Sequence, residues 1–313
     1  MKNLILFLLI AVMLSTACKK QLDSPDPGPQ LDNQSFTQVE DNNDIKEEND
    51  QTNDEVNNVV EYTSLKSGRM AATNINPFCG CSVDSSQIAN KIITLVFDNI
   101  TPCGSPSRYR SGSIRIQLQG NRWRTQAGSI LKVSYNNFKV RRGLKSWTFN
   151  GDKYLTNLRA VNWGMFLAGS DSVLQKERSN NMQITFTGGL TASYSIARKA
   201  TIKTINKGGV NHLELSVNGD TLKDGKQNTD TWGTNRFGKA FSTYYTRPFR
   251  SNSYCWFSRP VNGELVHKVD NNNITVTLGV NEQGNPDARD CAFGWKIRWM
   301  LGSGSSGEKV YSY

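Results

Sequence analysis

Between Tyr244 and Trp256 the chain interleaves tyrosine, phenylalanine and tryptophan with Arg247 and Arg250. Arginine forks hold sulfate, carboxylate or phosphate through paired hydrogen bonds, and exposed aromatic faces stack on sugar rings. Tyr244, Tyr245, Arg247, Arg250 and Trp256 are therefore candidate ligand-binding residues for an anionic polymer. Arg108, Arg110, Arg122 and Arg124 form a second basic set and supply four more candidates. The plainer use of the same residue types is structural: alternating aromatics fill a sandwich core, and the basic residues between them make its solvated faces.

Catalytic chemistry leaves less trace. The chain has no G-x-S-x-G elbow, no H-E-x-x-H pair, no phosphate-binding loop and no dinucleotide fingerprint. His212 and His267 both stand in strand contexts, where a surface or cross-strand role is the ordinary one. A carboxylate pair of the glycosidase type meets only in space and leaves no local signature. The expectation is a non-enzymatic binding protein without a cofactor. A glycan hydrolase using such a pair is the alternative.

The N-terminus carries a different chemistry. Residues 1–20 read MKNLILFLLIAVMLSTACKK: a basic start at Lys2, an apolar run from Leu4 to Leu14, then small residues before Cys18. That order is a secretory signal, and a cysteine directly after the small residues resembles a bacterial lipoprotein signal. Cys18 is then the lipidation site, residues 1–17 are the signal peptide, and the membrane is a partner through the lipid. The apolar run is about half of what a bilayer-spanning helix needs. The expected address is the outer membrane or cell surface of a bacterium.

An exported chain matures where disulfides persist. Besides Cys18 there are five cysteines: Cys79, Cys81, Cys103, Cys255 and Cys291. Cys255 with Cys291 is the first expected pair, and Cys103 with Cys79 or Cys81 the second. Cys79-Gly80-Cys81 has no histidine close in sequence to complete a zinc site, so no metal is expected.

Charge divides the chain sharply. Residues 20–64 carry twelve acidic side chains against Lys20 and Lys46, whereas residues 65–313 carry a net charge of +18. The acidic segment is rich in Asn and Gln and poor in apolar residues, which predicts a disordered tether over residues 18–64. Its expected role is a spacer, the rival being a shield folded back onto the basic body. The basic body suits acidic polysaccharides or an envelope protein. Nucleic acid is not the expected partner, since no recognition motif for it is present.

The body, residues 65–313, is built from strands. Ile114, Ile116 and Leu118 alternate with Arg115, Gln117 and Gln119, and Ile274 to Val280 follows the same period of two. Trp295, Ile297 and Trp299 share one face of a strand, with Lys296 and Arg298 on the other. Other expected strands include Leu155–Phe166 and Cys255–Val269, with turns at Asn150-Gly151-Asp152, Gly208-Gly209 and Asn218-Gly219-Asp220. No helical periodicity stands out. The fold class is all-β: an antiparallel β-sandwich, or two sandwich subdomains in series with a candidate subdivision near 206–235. Two strand–cysteine loop–strand units, around Cys103 and around Cys291, echo one another near the two ends of the body.

The run Gly233-Thr234-Asn235-Arg236-Phe237-Gly238-Lys239-Ala240-Phe241-Ser242, the following Thr246-Arg247-Pro248-Phe249, Cys255-Trp256 and the Cys291 hairpin together resemble a family of uncharacterised all-β lipoproteins from Bacteroidota. The resemblance covers much of residues 90–300 and implies an exported, lipid-anchored, β-rich protein with no assigned activity. The chain departs from that pattern at Cys79-Gly80-Cys81 and in an insert around Arg178–Asn181.

Overall fold

The structure is a computed structural model that describes residues 33–62, 79–104 and 107–313; the signal segment and Cys18 lie outside the described residues. The expected class holds. Among the described residues, fifteen antiparallel strands make up one hydrogen-bonded sheet. They are β1 (Cys81–Asp84), β2 (Ile92–Asp98), β3 (Arg108–Gln119), β4 (Ile130–Arg142), β5 (Lys145–Asn157), β6 (Ser172–Phe186), β7 (Thr191–Lys207) and β8 (Val210–Gly219). There follow β9 (Thr221–Lys223), β10 (Lys226–Thr234), β11 (Ala240–Asn252), β12 (Asn262–Val269), β13 (Asn272–Val280), β14 (Gly294–Met300) and β15 (Ser306–Ser312).

Strands β1 to β7 form one meander and β10 to β15 another. The join between them falls where a subdivision was expected, and the ladder runs through it. The first half of β7 pairs with β10 at Ser193–Ile196, and its second half pairs with β8 from Arg198 to Lys207. β8 in turn pairs with the end of β11. Residues 34–313 form one compact unit.

The main correction concerns the tether. Asn33–Tyr62 is a 30-residue helix, α1, about 45 Å long, and it lies against the inner face of the sheet. The sheet curls around it, which can be shown from contacts within one helical turn. Glu48 pairs with Arg108 on β3, Asn49 bonds Glu177 on β6, and Lys46 lies over Phe249 on β11. A flat sheet would set β3 and β11 six strand steps apart, about 29 Å, far more than the helix's own width of 10–12 Å. The rival reading, an acidic segment folded back on the basic body, is what residues 33–62 do.

Two bulges help to bend the sheet. In β4 the register slips between Tyr135 and Phe138, so both rings face inward around the left-handed Asn137. Gly112 lies opposite on β3, where an added Cβ would stand 2.1 Å from the Asn137 carbonyl oxygen. In β6 the register slips between Ser179 and Met182. Asn180 and Asn181 therefore sit in a β-bulge, a device that kinks a strand and increases its twist.

The helix is apolar at its ends and charged in the middle. Val56, Val59 and Val60 join a large core with Ile93, Leu95, Ile114, Ile116, Leu131 and Ile184. At the other end Val39 packs on Ile274 and Ile297, and Phe36 meets the Trp299 ring edge-on at 6.0 Å. Between these, Glu48 and Glu55 hold Arg108 and Arg110, Glu47 and Glu48 hold Arg142, and Asp50 holds Arg198. A helix this polar has little tendency to form alone, so the sheet supplies what holds it.

Asp41 shows the cost of burying such charges. It pairs with Arg236, whose Nε donates over 2.7 Å, and is 3% exposed. Burial outweighs the arginine and pushes the carboxyl up to about 6. The folded state thus binds this proton more tightly than the unfolded chain, so the group's stabilising contribution is full below about pH 4 and is lost as pH rises through 6. The stability of Asp41→Asn relative to the unchanged protein should therefore improve by about 2 kcal/mol between pH 4 and pH 8. Parallel denaturant titrations at the two pH values read this directly.

Two strand expectations also need correction. The run Leu155–Phe166 leaves the sheet after Asn157, and Trp163–Leu167 is a short helix, α2, capped by Asn162, whose side chain accepts from the Met165 N–H. The run Cys255–Val269 becomes strand only at Asn262; before it runs a loop tied down by a disulfide.

Candidate functional site

The nine candidate binding residues do not come together. Arg108 and Arg110 face inward and are taken by the helix: Arg108 lies 3.2 Å from both Glu48 and Glu55, and Arg110 pairs with Glu55 and donates to the Cys79 carbonyl over 2.7 Å. Arg124 donates to Asn57 and to Gln175. Tyr245 is buried on the inner face, and Arg247 pairs with Glu264 at 3.1 Å. Arg122 and Arg250 are exposed on separate parts of the surface, and Trp256 is 75% exposed in the loop after β11. Of the nine, Tyr244 faces outward in a groove where other cations gather.

That groove, of about 390 Å³, crosses the outer face of strands β10 to β14. Register builds it. Tyr244 lies opposite Val266, Val266 opposite Thr275, and Thr275 opposite Arg298, so these four make one row across four strands. Lys268, Asn273 and Met300 make the neighbouring row. Lys226 closes the end, its ammonium 5.6 Å from the centre of the Tyr244 ring. Lys226, Lys268 and Arg298 are all exposed, no carboxylate lines the groove, and none of the three forms an ion pair among the described residues. They stand on alternate strands, which sets them on the order of 10 Å apart.

The signal for this groove was partly present in the sequence, since Arg298 alternates with the inward Ile297 and Trp299. What the sequence does not disclose is that β14, β13, β12 and β11 are consecutive neighbours in a register that aligns Arg298 with Tyr244.

The structure also brings carboxylates together, though not in a form suited to glycoside hydrolysis. Glu177 and Asp230 lie 3.9 Å and 2.8 Å from the same Arg198 Nε. Both Asp230 oxygens accept from Arg198, and both Glu177 oxygens accept from Asn49 and Asn53 of the helix. Lys153, fully buried beside them, donates to Asn49 over 2.8 Å. Burial lowers its amine to about 8 against the pull of Glu177 and Asp50. General-acid work on a glycosidic oxygen needs a carboxyl proton aimed into a cleft. Here all four oxygens are occupied as acceptors beneath a helix.

The cysteines pair as the spacing suggested. Cys255 joins Cys291, and Cys79 joins Cys103 with a Cα separation of 5.7 Å. Cys81, the other candidate for that second bond, is in neither disulfide; it is buried, and burial pushes its thiol up to about 11. Each disulfide ties down the connection of one of the two echoing strand pairs, β2–β3 and β13–β14. Among the described residues no helix is long and apolar enough to cross a membrane.

No family model matches the chain, and no curated protein or solved structure is similar to it. The functional reading therefore rests on the groove itself.

Proposed function

We propose that this protein is a non-enzymatic component of a bacterial cell envelope, lipid-anchored through Cys18, whose outer groove binds an anionic polymer. The observation that carries the reading is the groove's charge. Three exposed cations, Lys226, Lys268 and Arg298, share it with an aromatic ring and no carboxylate. Of the basic residues singled out in sequence, Arg108 and Arg110 are neutralised by the helix, whose own net charge is −8. A spacing on the order of 10 Å between cations suits the repeat of an acidic polysaccharide, with Tyr244 offering a stacking face beside Lys226.

The test is retention on an immobilised sulfated polysaccharide. The unchanged protein should bind at low salt, and the triple variant Lys226→Ala, Lys268→Ala, Arg298→Ala should emerge at or near the void. The double variant Arg122→Ala, Arg250→Ala changes exposed cations outside the groove and should elute like the parent. Equal retention of triple variant and parent would remove the basis for the proposal.

A further inference from the structure

The inner side of the curled sheet holds a second cavity, between the N-terminal half of α1 and strands β11 to β14, also of about 390 Å³. Its wall is apolar: Phe249, Leu265, Val276, Leu278, Trp295 and Ile297. One end is polar, with Lys46 from the helix and Thr243 and Asp230 from the sheet.

The polar groups at that end differ in how well they are satisfied. Both oxygens of Asp230 are taken by Arg198. The Lys46 ammonium lies 4.8 Å above the Phe249 ring and has no hydrogen-bond acceptor or ion-pair partner among the described residues. Burial works against its charge, but Tyr245, Asp50 and Asp230 nearby outweigh that and hold its pKa above the ordinary value, so it stays an ammonium. Behind the lining, opposite Thr243 on β12, His267 is 2% exposed; its Nδ1 meets the Thr243 hydroxyl at 2.9 Å, while its Nε2 is buried without a partner. Burial and the Lys46 charge push that imidazole down to about 3, so the ring is neutral at physiological pH.

An ammonium without an acceptor at the head of an apolar cavity, with an unpartnered imidazole nitrogen buried behind it, costs free energy. A ligand that brings an acceptor to this end and apolar atoms to the wall recovers that cost and gains the burial of its own body. We propose that the cavity binds a small amphiphile with a carboxylate head, the head bonded to the Lys46 ammonium and the apolar body laid along β12 to β14. The site is separate from the outer groove, since Ile274, Val276, Leu278, Trp295 and Ile297 point inward while Thr275 and Arg298 point outward.

Calorimetric titration of the full chain with decanoate, decanol and decylamine tests this. Decanoate should bind at one site per chain, decanol about 10-fold or more weaker, and decylamine not measurably, since a charge-assisted hydrogen bond separates the first two. Lys46→Met should reduce decanoate to the affinity of decanol and leave decanol unchanged, which also shows that the fold and the apolar wall persist. Val276→Trp, which fills the cavity, should abolish both. Absence of decanoate binding, equal binding of decanoate and decanol, or unaltered decanoate binding by Lys46→Met would each overturn the proposal.

Discussion

Replacing Arg198 by Met should destabilise the fold by about 3–5 kcal/mol in equilibrium denaturation at neutral pH. The guanidinium is 4% exposed and joins three carboxylates: Asp230 through Nε and Nη2, Asp50 through Nη1 at 3.0 Å, and Glu177 at 3.9 Å from Nε. Removing it leaves those acids facing one another with Lys46 and Lys153 as the nearby cations. Like charges at such range in a poorly solvated site cannot all stay ionised without penalty. The double variant Arg198→Met, Asp230→Leu should recover most of the lost stability, because a buried pair replaced by apolar groups of similar size is often neutral. If the single variant were as stable as the parent, the Arg198 cluster would have no part in holding the helix to the sheet.

Trp123→Ala should cost a similar amount, about 3–5 kcal/mol. The indole is completely buried, its Nε1 donates to Asn57 of the helix over 2.9 Å, and its backbone carbonyl accepts from Asn157. It thus fixes the last turns of α1 to the loop between β3 and β4. Truncation opens a cavity in the main core and strips Asn57 of a donor. Hydrogen exchange should therefore quicken first in the amides of Asp54 to Val60. Trp123→Phe keeps most of the volume and loses the bond, so it should cost much less than the Ala variant, its bond share being about 1 kcal/mol. Faster exchange confined to the distant strands β12 to β15 would contradict this placement.

The sheet was legible because its strands obey a simple rule. In β3, β13 and β14 one face is apolar and the other polar, so period two appears in the letters themselves. Cysteine spacing likewise anticipated the Cys255–Cys291 bond and a Cys103 bond nearer the N-terminus. The helix was not legible, for a physical reason. Its inward residues include Gln38, Asn42, Glu48, Asn49 and Thr52, so it has no apolar stripe to betray a buried face. Burial is made tolerable by Arg110, Lys153, Glu177 and Arg198, which point inward from strands that follow it by more than 40 residues. A local reading of residues 33–62 sees a polar, acidic segment; the complementarity that orders it is long-range.

The same effect misdirected the choice of binding residues. Arg108 and Arg110 belong to a conspicuous basic cluster, but their partners Glu48 and Glu55 lie in the acidic segment, and the two charge runs cancel in the fold. The exposed cations of the outer groove are scattered singly through three strands and form no run at all. Charge density along the sequence was therefore a poor guide to charge density on the surface.

The number of charges engaged by the polymer tests the account most directly. Binding of the full chain to a soluble sulfated polysaccharide should be measured across a series of salt concentrations, for the parent and for the triple variant at Lys226, Lys268 and Arg298. Three cations released from counterion competition predict a slope of log K against log salt of about −2 for the parent, and near zero residual binding for the triple variant. A slope of about −6 or steeper, retained by the triple variant, would mean that the +18 body binds as a diffuse basic surface and that the groove is not the site.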